Sequence, residues 1–303
     1  MTRWLPRCLR SDPVAWAIAA ALLAPAVPVD GQTIFLADFE TDQIHAMDRT
    51  SGVLLYSFPA RGSFSTGLQF ADGVLFVNNY TGCTDDRVFR VNAVTGAIIG
   101  SAASPTCPVD GLAKDPAGNH FLALAPQLEQ LLVFDPKDGT VAGTIELGLD
   151  GVETRDVTWL GDLVYVADEL TDTIYAYSLD ISNGRATLVR AIPVGTNCPG
   201  LTNDGKILIA YDILQHRLLE IDPVSGEINP RALPQGVGAV AGLAYDPGEC
   251  PADFNSDGVV NSQDFFDFLT AFFAGLPSAD FNGDSLVNSQ DFFDFLTAFF
   301  SGC

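Results

Sequence analysis

The 303-residue sequence predicts a mainly β protein with a small α-helical domain at its C-terminal end. Between residues 32 and 247, short strand-like runs separated by turns recur with a period of 42 to 45 residues. After Cys250 the pattern changes, because a segment with helical apolar spacing is written twice. A chain of this length accommodates two domains with separate cores.

Residues 1–31 are typical of a secretory signal. Three arginines give a basic start, an apolar run follows at 14–27, and small residues place a cleavage point after Ala26 or Gly31. The apolar run is too short to span a bilayer comfortably, and a retained N-terminal anchor is the alternative. We therefore expect a secreted protein, extracellular or at the cell surface, with no membrane span in the mature chain.

Removal of this segment leaves 12 basic and 36 acidic residues, a net charge of −24 before any ion binds. Such a chain repels polyanions, which argues against nucleic acid and anionic membranes as partners.

The repeat in residues 32–247 predicts the architecture of the larger domain. A turn of the form Asp/Asn-x-x-[Ser/Thr/Asn/Asp]-Gly occurs at 48–52, 92–96, 135–139, 180–184 and 222–226. Two strand-like runs precede each turn, one follows it, and a short fourth run heads every unit except the first. Four short strands per unit of this length are typical of a β-propeller blade.

The leading strand that the first unit lacks has its match at residues 240–245. We therefore predict a five-bladed β-propeller that this C-terminal strand closes, which leaves no exposed sheet edge. Runs such as VYVAD at 164–168 resemble YVTN/NHL-like and gluconolactonase-like propeller repeats. The resemblance implies architecture and leaves activity open.

The duplicated segment occupies residues 252–273 and 279–300, and only three of its 22 positions differ. Each copy has the oxygen spacing of a twelve-residue calcium loop, with side chains at positions 1, 3, 5, 9 and 12 and a backbone carbonyl at position 7. The ligand residues are Asp253, Asn255, Asp257, Val259, Asn261 and Asp264 in the first loop, and Asp280, Asn282, Asp284, Leu286, Asn288 and Asp291 in the second.

An acidic turn that precedes an amphipathic helix without any metal is the alternative interpretation of each loop. Because both copies keep every ligand position, we expect two Ca²⁺ sites. We expect the second site to be weaker, because Ser285 stands where the first loop has Gly258 for a sharp turn.

The order loop, helix, linker, loop, helix has no helix entering either loop, and position 12 is Asp rather than Glu. This combination resembles the type I dockerin repeat, the calcium-dependent docking module of secreted polysaccharide-degrading systems, and it covers residues 253–300. The resemblance implies a cohesin-like partner or a cell-surface component. It also implies partner contacts from loop positions 10 and 11, which are Ser262, Gln263, Ser289 and Gln290.

Five cysteines follow the signal segment, and no C-x-x-C pair indicates zinc. Disulfides are the default in an oxidising compartment. Cys250 and Cys303 bracket the dockerin-like domain of residues 250–303, so we predict a bond that joins its ends. Cys83 and Cys107 fall on connections at one face of the same blade, so we predict a second bridge there. A bond from Cys107 to Cys198 would have to cross blades.

A polar residue ends the second strand of four units, as Asp38, Asn79, Asp168 and Asp212. Gluconolactonase-like propellers hold a divalent metal on their axis with Glu, Asn and Asp, but a residue that recurs once per blade is more typical of a cap on its own turn. No G-x-S-x-G, phosphate-binding glycine loop or H-E-x-x-H motif occurs, and we predict no catalytic residues.

The functional prediction is a secreted, non-catalytic binding protein. Its propeller would present a face to a protein or glycan ligand, and its calcium module would dock it to a cohesin-like partner or extracellular assembly. The alternative is a secreted enzyme that carries a dockerin, either a lactonase-like metal hydrolase or a polysaccharide-degrading component. Acidic or amide side chains that converge from different blades would favour the enzyme.

Overall fold

The computed structural model describes residues 32–60, 65–116, 120–148, 153–248, 250–255, 260–282, 284 and 286–301. The predicted signal segment, residues 1–31, lies outside the described residues. Among the described residues, no helix is long and apolar enough to cross a membrane.

Short strands account for most of the described residues before Pro247. They are β1 (Thr33–Asp38), β2 (Gln43–Asp48), β3 (Leu54–Pro59), β4 (Ser65–Ala71), β5 (Val74–Asn79), β6 (Arg87–Asn92), β7 (Ile98–Ala103), β8 (Leu112–Lys114), β9 (Phe121–Ala125), β10 (Gln130–Phe134), β11 (Val141–Glu146), β12 (Thr154–Leu160), β13 (Leu163–Asp168), β14 (Thr173–Asp180), β15 (Arg185–Pro193), β16 (Leu201–Asn203), β17 (Leu208–Asp212), β18 (Arg217–Ile221), β19 (Ile228–Ala232) and β20 (Val240–Asp246). Short 3₁₀ helices lie at Pro126–Leu128 and Ile181–Asn183.

The strands form antiparallel sets of four. Three sets are separate sheets, with the orders β20-β1-β2-β3, β4-β5-β6-β7 and β16-β17-β18-β19. The sets β8 to β11 and β12 to β15 are joined into one eight-stranded sheet by a single parallel pair, Glu146 with Arg185. The protein is therefore mainly β, with a propeller-type arrangement of small sheets.

The recurring Asp/Asn…Gly turn lies between the last two strands of each set. In four of the five turns the glycine N–H donates to the carbonyl oxygen of the Asp or Asn four residues earlier, at 2.8 to 2.9 Å. All five glycines have positive φ, from 62° to 81°, a conformation that costs other residues energy. The turn at 180–184 differs, since a 3₁₀ turn occupies it and Gly184 donates to Ile181.

The C-terminal strand β20 pairs with β1, as the missing leading strand of the first unit predicts. The two strands are antiparallel from Thr33 opposite Asp246 to Asp38 opposite Val240, with one irregularity after Ala37. The innermost strands β20, β4, β8, β12 and β16 each contact the next, and β16 contacts β20 again. The contacts of the innermost strands therefore return to their starting point.

Buried apolar side chains form five clusters among these sets, each between two successive sets. In the first, Phe35 and Ile44 lie with Leu68 of the second set. In the cluster that joins the last set to the first, Ile209 packs with Ile34. Full burial of one such side chain stabilises the fold by about 1.5 to 3 kcal/mol. Because several are buried at each junction, each pair of successive sets has a hydrophobic core of its own.

Glycine occupies one equivalent position in four of the five innermost strands or just before them, as Gly67, Gly111, Gly200 and Gly242. A Cβ on Gly242 would overlap the carbonyl oxygen of Thr66, and a Cβ on Gly67 would lie 3.3 Å from the backbone of Gly111. The strands approach so closely here that a Cβ at Gly111 or Gly242 would overlap its neighbours, and one at Gly67 or Gly200 would require them to shift slightly.

Asp156 stands at the fifth equivalent position and is fully buried. Its carboxylate accepts hydrogen bonds from the backbone N–H of Val157 (2.8 Å) and of Leu201 (2.7 Å), and it also bonds the backbone of Leu243. It therefore links β12 to β16 and β20 where the innermost strands meet. Burial raises the pKa of Asp156 well above its usual range, and the nearby Asp110 carboxyl raises it further.

The two predicted helices are present as α1 (Ser262–Phe273) and α2 (Ser289–Ser301), with a 3₁₀ turn at Pro277–Ala279 between them. A capping box begins α1, because Asn261 accepts from the helix backbone while Asp264 accepts from the N–H of Asn261. The equivalent residues Phe268 and Phe295 are both fully buried and stack with ring centroids 4.0 Å apart.

The aromatic core of this pair of helices repeats the duplication of the sequence. Phe254 and Phe281, which are equivalent in the two copies, each present an edge to both stacked rings at centroid distances of 5.5 to 6.3 Å. Ala252 and Ala279 are likewise equivalent and fully buried. The two copies therefore pack as a near-symmetric pair.

The close approach of the innermost strands gives a stability prediction. Gly242→Ala should lower the free energy of unfolding by about 1 to 3 kcal/mol, because its Cβ would force β20 away from Thr66 in β4. Gly143→Ala is the control, since a Cβ there would have no neighbour within 4 Å and should change stability by less than about 0.5 kcal/mol. Urea denaturation of both variants measures the difference, and equal midpoints would contradict it.

Candidate functional site

A pocket opens at one end of the axis around which the innermost strands meet, on the side of the Cys83 to Cys107 connections. It consists of two adjoining cavities of about 400 and 310 Å³ that share Thr66, Asp110 and Arg155. We call it the mouth pocket. Its other lining residues are Phe39, Tyr80, Pro108, Pro126, Glu153, Glu169, Asn197, Pro199, Ile213 and Ala241. The lining mixes apolar rings and prolines with a few charged groups, as ligand sites do.

Arg155 at the start of β12 organises the charges of the mouth pocket. Its guanidinium donates to Glu169 through Nε, to Glu153 through Nη2 at 2.7 Å, and to Asp110 through Nη1 at 3.4 Å. One guanidinium therefore faces three carboxylates that come from different loops. The group carries an excess of negative charge when all three acids are ionised.

Asp110 has the most unusual environment of these acids. The residue is 8% exposed, and its contact to Arg155 is the longest of the three. Burial raises the pKa of Asp110 to about 6, since desolvation outweighs the attraction of Arg155 and the charges of Glu153 and Glu169 add to the rise. Acids with pKa values shifted in this way, in a cleft, are candidates for functional groups.

The polar residues that end the second strand of the sequence units cap their own turns. Asp38 accepts from the N–H of Glu40 and Thr41, and Asp168 accepts from the N–H and hydroxyl of Thr171. Asp212 accepts from Leu214 and Gln215, and Asn79 from the N–H of Arg87. These contacts are structural, as the recurrence of the residue once per unit indicates.

The neighbouring acids Asp168 and Glu169 are not the solvated pair that an acidic loop suggests. Asp168 is buried, and Glu169 binds Arg155 in the mouth pocket. His45 is a buried residue of β2, and its ring lies 3.1 Å from Asp38 and 2.7 Å from the hydroxyl of Ser57.

The acids of the mouth pocket converge on a guanidinium rather than on one point between them. Within the described part of the chain, the sole group of three His, Cys, Asp or Glu residues with ligand atoms within 4.8 Å is Cys83, Asp86 and Cys107. The two sulfur atoms of that group are joined in a disulfide and cannot act as thiolate ligands.

Cys83 and Cys107 form the disulfide that their positions suggest, with Cα atoms 5.4 Å apart. Cys198 is free and buried, and burial raises the pKa of its thiol to about 12, which makes it a weak nucleophile. Cys250 is disulfide-bonded, while Cys303, its predicted partner, lies outside the described residues.

The structure places most of the predicted calcium ligands in two equivalent loops. Asp264 and Asp291 at position 12 are both fully buried at the start of their helices. Asp264 accepts from the N–H of Asn255 (3.2 Å) and Asn261 (2.8 Å), and Asp291 accepts from the matching Asn282 (3.2 Å) and Asn288 (2.8 Å). Each last carboxylate therefore closes its own loop in the same way.

The structure describes some of the remaining predicted ligands of the two loops and leaves others undescribed. Asp284 caps the second loop by accepting from the N–H of Leu286 at 2.8 Å, and Asn282 accepts from Asp284 at 3.0 Å. Asp257 and Val259 of the first loop lie outside the described residues, as do Gly258 and Ser285, on which the predicted difference between the loops depends.

Positions 10 and 11 of both loops are exposed at the helix starts. Ser262 and Ser289 are solvent-exposed, as are Gln263 and Gln290, whose amides donate to acids four residues later. The helices also expose phenylalanines at equivalent positions, which the sequence interpretation did not single out. Phe266 and Phe293 are each 59% exposed, and Phe273 and Phe300 are each 81% exposed.

Comparison with known proteins identifies the repeat. The family model described as outer membrane protein assembly factor BamB matches residues 9–229. The chain belongs to this BamB-like PQQ_2 repeat family. The family is of the propeller type that the sequence predicts, although it is not one of the repeat types named from the sequence. The match ends before the duplicated loops, so the dockerin resemblance stays a prediction.

One solved structure supports the propeller-type fold of this BamB-like chain. The crystal structure of a nidogen/laminin complex matches with a TM-score of 0.50 and 13% identity, over 71% of this chain and 98% of that one. A protein of unknown function from Bacteroides caccae matches with a TM-score of 0.48 and 11% identity, over 71% and 98% of the two chains. Among curated proteins, no sequence matches. The first likeness concerns the fold alone.

Sequence interpretation missed the residues of the mouth pocket, because they are not repeated. A signal was present in the equivalent glycines of the innermost strands. Asp156 breaks that series, and Arg155 precedes it directly. Asp156, the residue that departs from the glycine series, therefore marks β12 as the strand that carries Arg155 and its charge.

The raised pKa of Asp110 gives a pH prediction. A carboxyl whose pKa is higher in the folded protein binds more protons when folded, so its contribution to stability is greatest below about pH 4 and is lost as the pH rises to about 6. The free energy of unfolding of the wild type, relative to Asp110→Asn, should fall by about 3 kcal/mol across this window. Denaturant melts at a series of pH values measure it.

Asp162→Asn is the control for the loss of one charge, because Asp162 is exposed in the turn between β12 and β13. A constant difference between the wild type and Asp110→Asn from pH 4 to pH 7 would contradict the assignment.

Proposed function

We propose that this chain is a secreted, non-catalytic binding protein, in which a five-bladed propeller serves as recognition scaffold and a calcium-dependent module attaches it to a cohesin-like partner or surface. The observation that carries the proposal is the pair of equivalent loops, each closed by a buried aspartate at the start of its helix. Secretion rests on the character of residues 1–31.

Five blades are supported by two independent features of the described residues. The innermost strands contact one another in a cycle of five, and five apolar clusters lie between successive sets. The pairing of β20 with β1 supports closure, because it completes the first set.

The donor set of the loops fits calcium. Carboxylate and amide oxygens with a backbone carbonyl are the ligands that this hard cation takes. Asp264 and Asp291 each accept two or three backbone hydrogen bonds, and an ionised carboxylate has about four acceptor sites, so each keeps capacity for an ion. In each loop the ligands would be the residues at positions 1, 3, 5, 7, 9 and 12. Bound calcium would neutralise the loop charges and tie these oxygens together.

The outer surface of the module supports a docking role. Phe266 and Phe293, and likewise Phe273 and Phe300, are equivalent pairs of exposed apolar side chains that could contact a partner. Ser262, Gln263, Ser289 and Gln290 are exposed at the starts of the same helices. Because the copies are nearly identical, the module could bind one partner in two orientations.

The alternative of a lactonase-like metal hydrolase is less well supported. Asp110, Glu153 and Glu169 do converge from different loops, as that function requires. However, all three bind the guanidinium of Arg155, whose positive charge opposes a divalent cation at the same place.

Calcium binding is tested with variants of the last loop position. The full chain should bind two Ca²⁺, with dissociation constants between about 10⁻⁷ and 10⁻³ M, and gain helical circular dichroism. Asp264→Ala and Asp291→Ala should each remove one site, whereas Asp267→Ala, on the same helix as Asp264 but outside the ligand set, should keep both. Calorimetric titration counts the sites, and a chain that binds no Ca²⁺ would overturn this part of the proposal.

Docking is tested separately by capture on an immobilised cohesin-type domain. Recovery should require Ca²⁺ and be lost with chelator. Replacement of Ser262 and Gln263 by Ala should leave capture through the second copy, while the same change in Ser289 and Gln290 as well should abolish it. Equal recovery with calcium and with chelator would contradict calcium-dependent docking.

A further inference from the structure

The mouth pocket contains two buried acceptors that lack sufficient donors. Asp110 is 8% exposed, and among the described residues its carboxylate accepts only from Arg155, at 3.4 Å. Asn197 also lines this pocket, and its amide oxygen, which is buried, accepts no hydrogen bond from the described residues. A buried acceptor in this condition has lost its water without a replacement unless a donor reaches it. Both oxygens therefore favour a ligand that brings N–H groups.

The charge of the pocket selects a cationic donor. Three carboxylates surround one guanidinium, and Arg155 already occupies Glu169 and Glu153 more closely than Asp110. A ligand anion would meet this excess negative charge, whereas a cation would relieve it. Asp156 lies buried beneath Asp110 and adds no positive charge.

The apolar part of the lining suits a hydrocarbon stem. Tyr80, Pro108 and Pro126 line the larger cavity together with Asp110, and its volume of about 400 Å³ admits one long side chain. Amphipathic cations bury their methylene stems on such surfaces while the charged group finds its partners. The larger cavity therefore has an apolar wall beside Asp110, and the adjoining smaller cavity adds Asn197.

We propose that the mouth pocket binds a primary ammonium group on an aliphatic stem, as carried by a lysine side chain of a partner polypeptide or by a free alkyl diamine. The ammonium donates to Asp110, and the amide oxygen of Asn197 accepts a second hydrogen bond. This site deepens the recognition role proposed for the propeller, and it is independent of the calcium loops.

The test is calorimetric titration of the full chain with Nα-acetyl-lysine methylamide and with cadaverine. Nα-acetyl-norleucine methylamide, which has a stem of the same kind without the ammonium, is the matched control ligand. Binding of either amine without binding of the norleucine compound is expected, and the tighter of the two amines identifies polypeptide or free diamine as the source. Absence of binding by both amines, or equal binding of the norleucine compound, would overturn the proposal.

Variants locate the site. Asp110→Asn should weaken amine binding by about tenfold or more, because a charge-assisted hydrogen bond becomes a neutral one. Glu153→Gln, at an acid whose side chain is about half exposed, should weaken it less but measurably through the lost attraction. Glu146→Gln, an exposed acid of β11, is the control and should leave the affinity unchanged. Unchanged affinity in both Asp110→Asn and Glu153→Gln would overturn the placement in the mouth pocket.

Two conditions separate this site from the docking module. Affinity for the amine should fall as the pH is lowered through about 6, where Asp110 takes up a proton beside Arg155, Glu153 and Glu169. Chelator should not change it, since no calcium-loop residue lines the pocket. Failure of calcium-dependent docking would therefore leave the amine titration intact, and failure of the titration would leave docking intact.

Discussion

The pairing of β20 with β1 is the constraint on which the rest of the sheet region depends. It completes the first set with a strand from the far end of the region, so the innermost strands contact one another in a closed cycle. Without it β1 would present an unpaired edge, and the junction around Ile209 and Ile34 would lose its partner. Closure also fixes the loops that carry Asp110 and Arg155, because those loops begin innermost strands. The mouth pocket is thus a consequence of closure.

Close approach at the axis explains why one charged residue is buried there. Glycines let the innermost strands meet at backbone distance, and Asp156 is the side chain at the one equivalent position that is not glycine. Its carboxylate accepts the backbone N–H of Val157 in its own strand and of Leu201 in β16, so it links these two sets. A buried acid of this kind costs desolvation, and its hydrogen bonds offset part of that cost. The same crowding keeps Asp110 above it short of partners.

The C-terminal module achieves order by a different route. Each short loop–helix copy is too small to bury a core alone, so the two copies share one, with Phe268 stacked on Phe295 and flanked by the edges of Phe254 and Phe281. The buried aspartates at the helix starts also hold the loops, because each accepts backbone N–H groups of its own loop. The phenylalanines that the shared core does not use remain on the surface.

Local rules determined what the sequence alone could predict. The Asp/Asn…Gly turns, the pairing of the C-terminal strand with the first unit and the capped helices each follow from spacing within a few residues or from a unit that is incomplete by itself. The Cys83 to Cys107 bridge followed from the same unit count. The mouth pocket could not be predicted, because Asp110, Arg155 and Asn197 belong to no repeat and are brought together only when different sets meet at the axis. Burial and charge balance are properties of that meeting, so tertiary structure decided them.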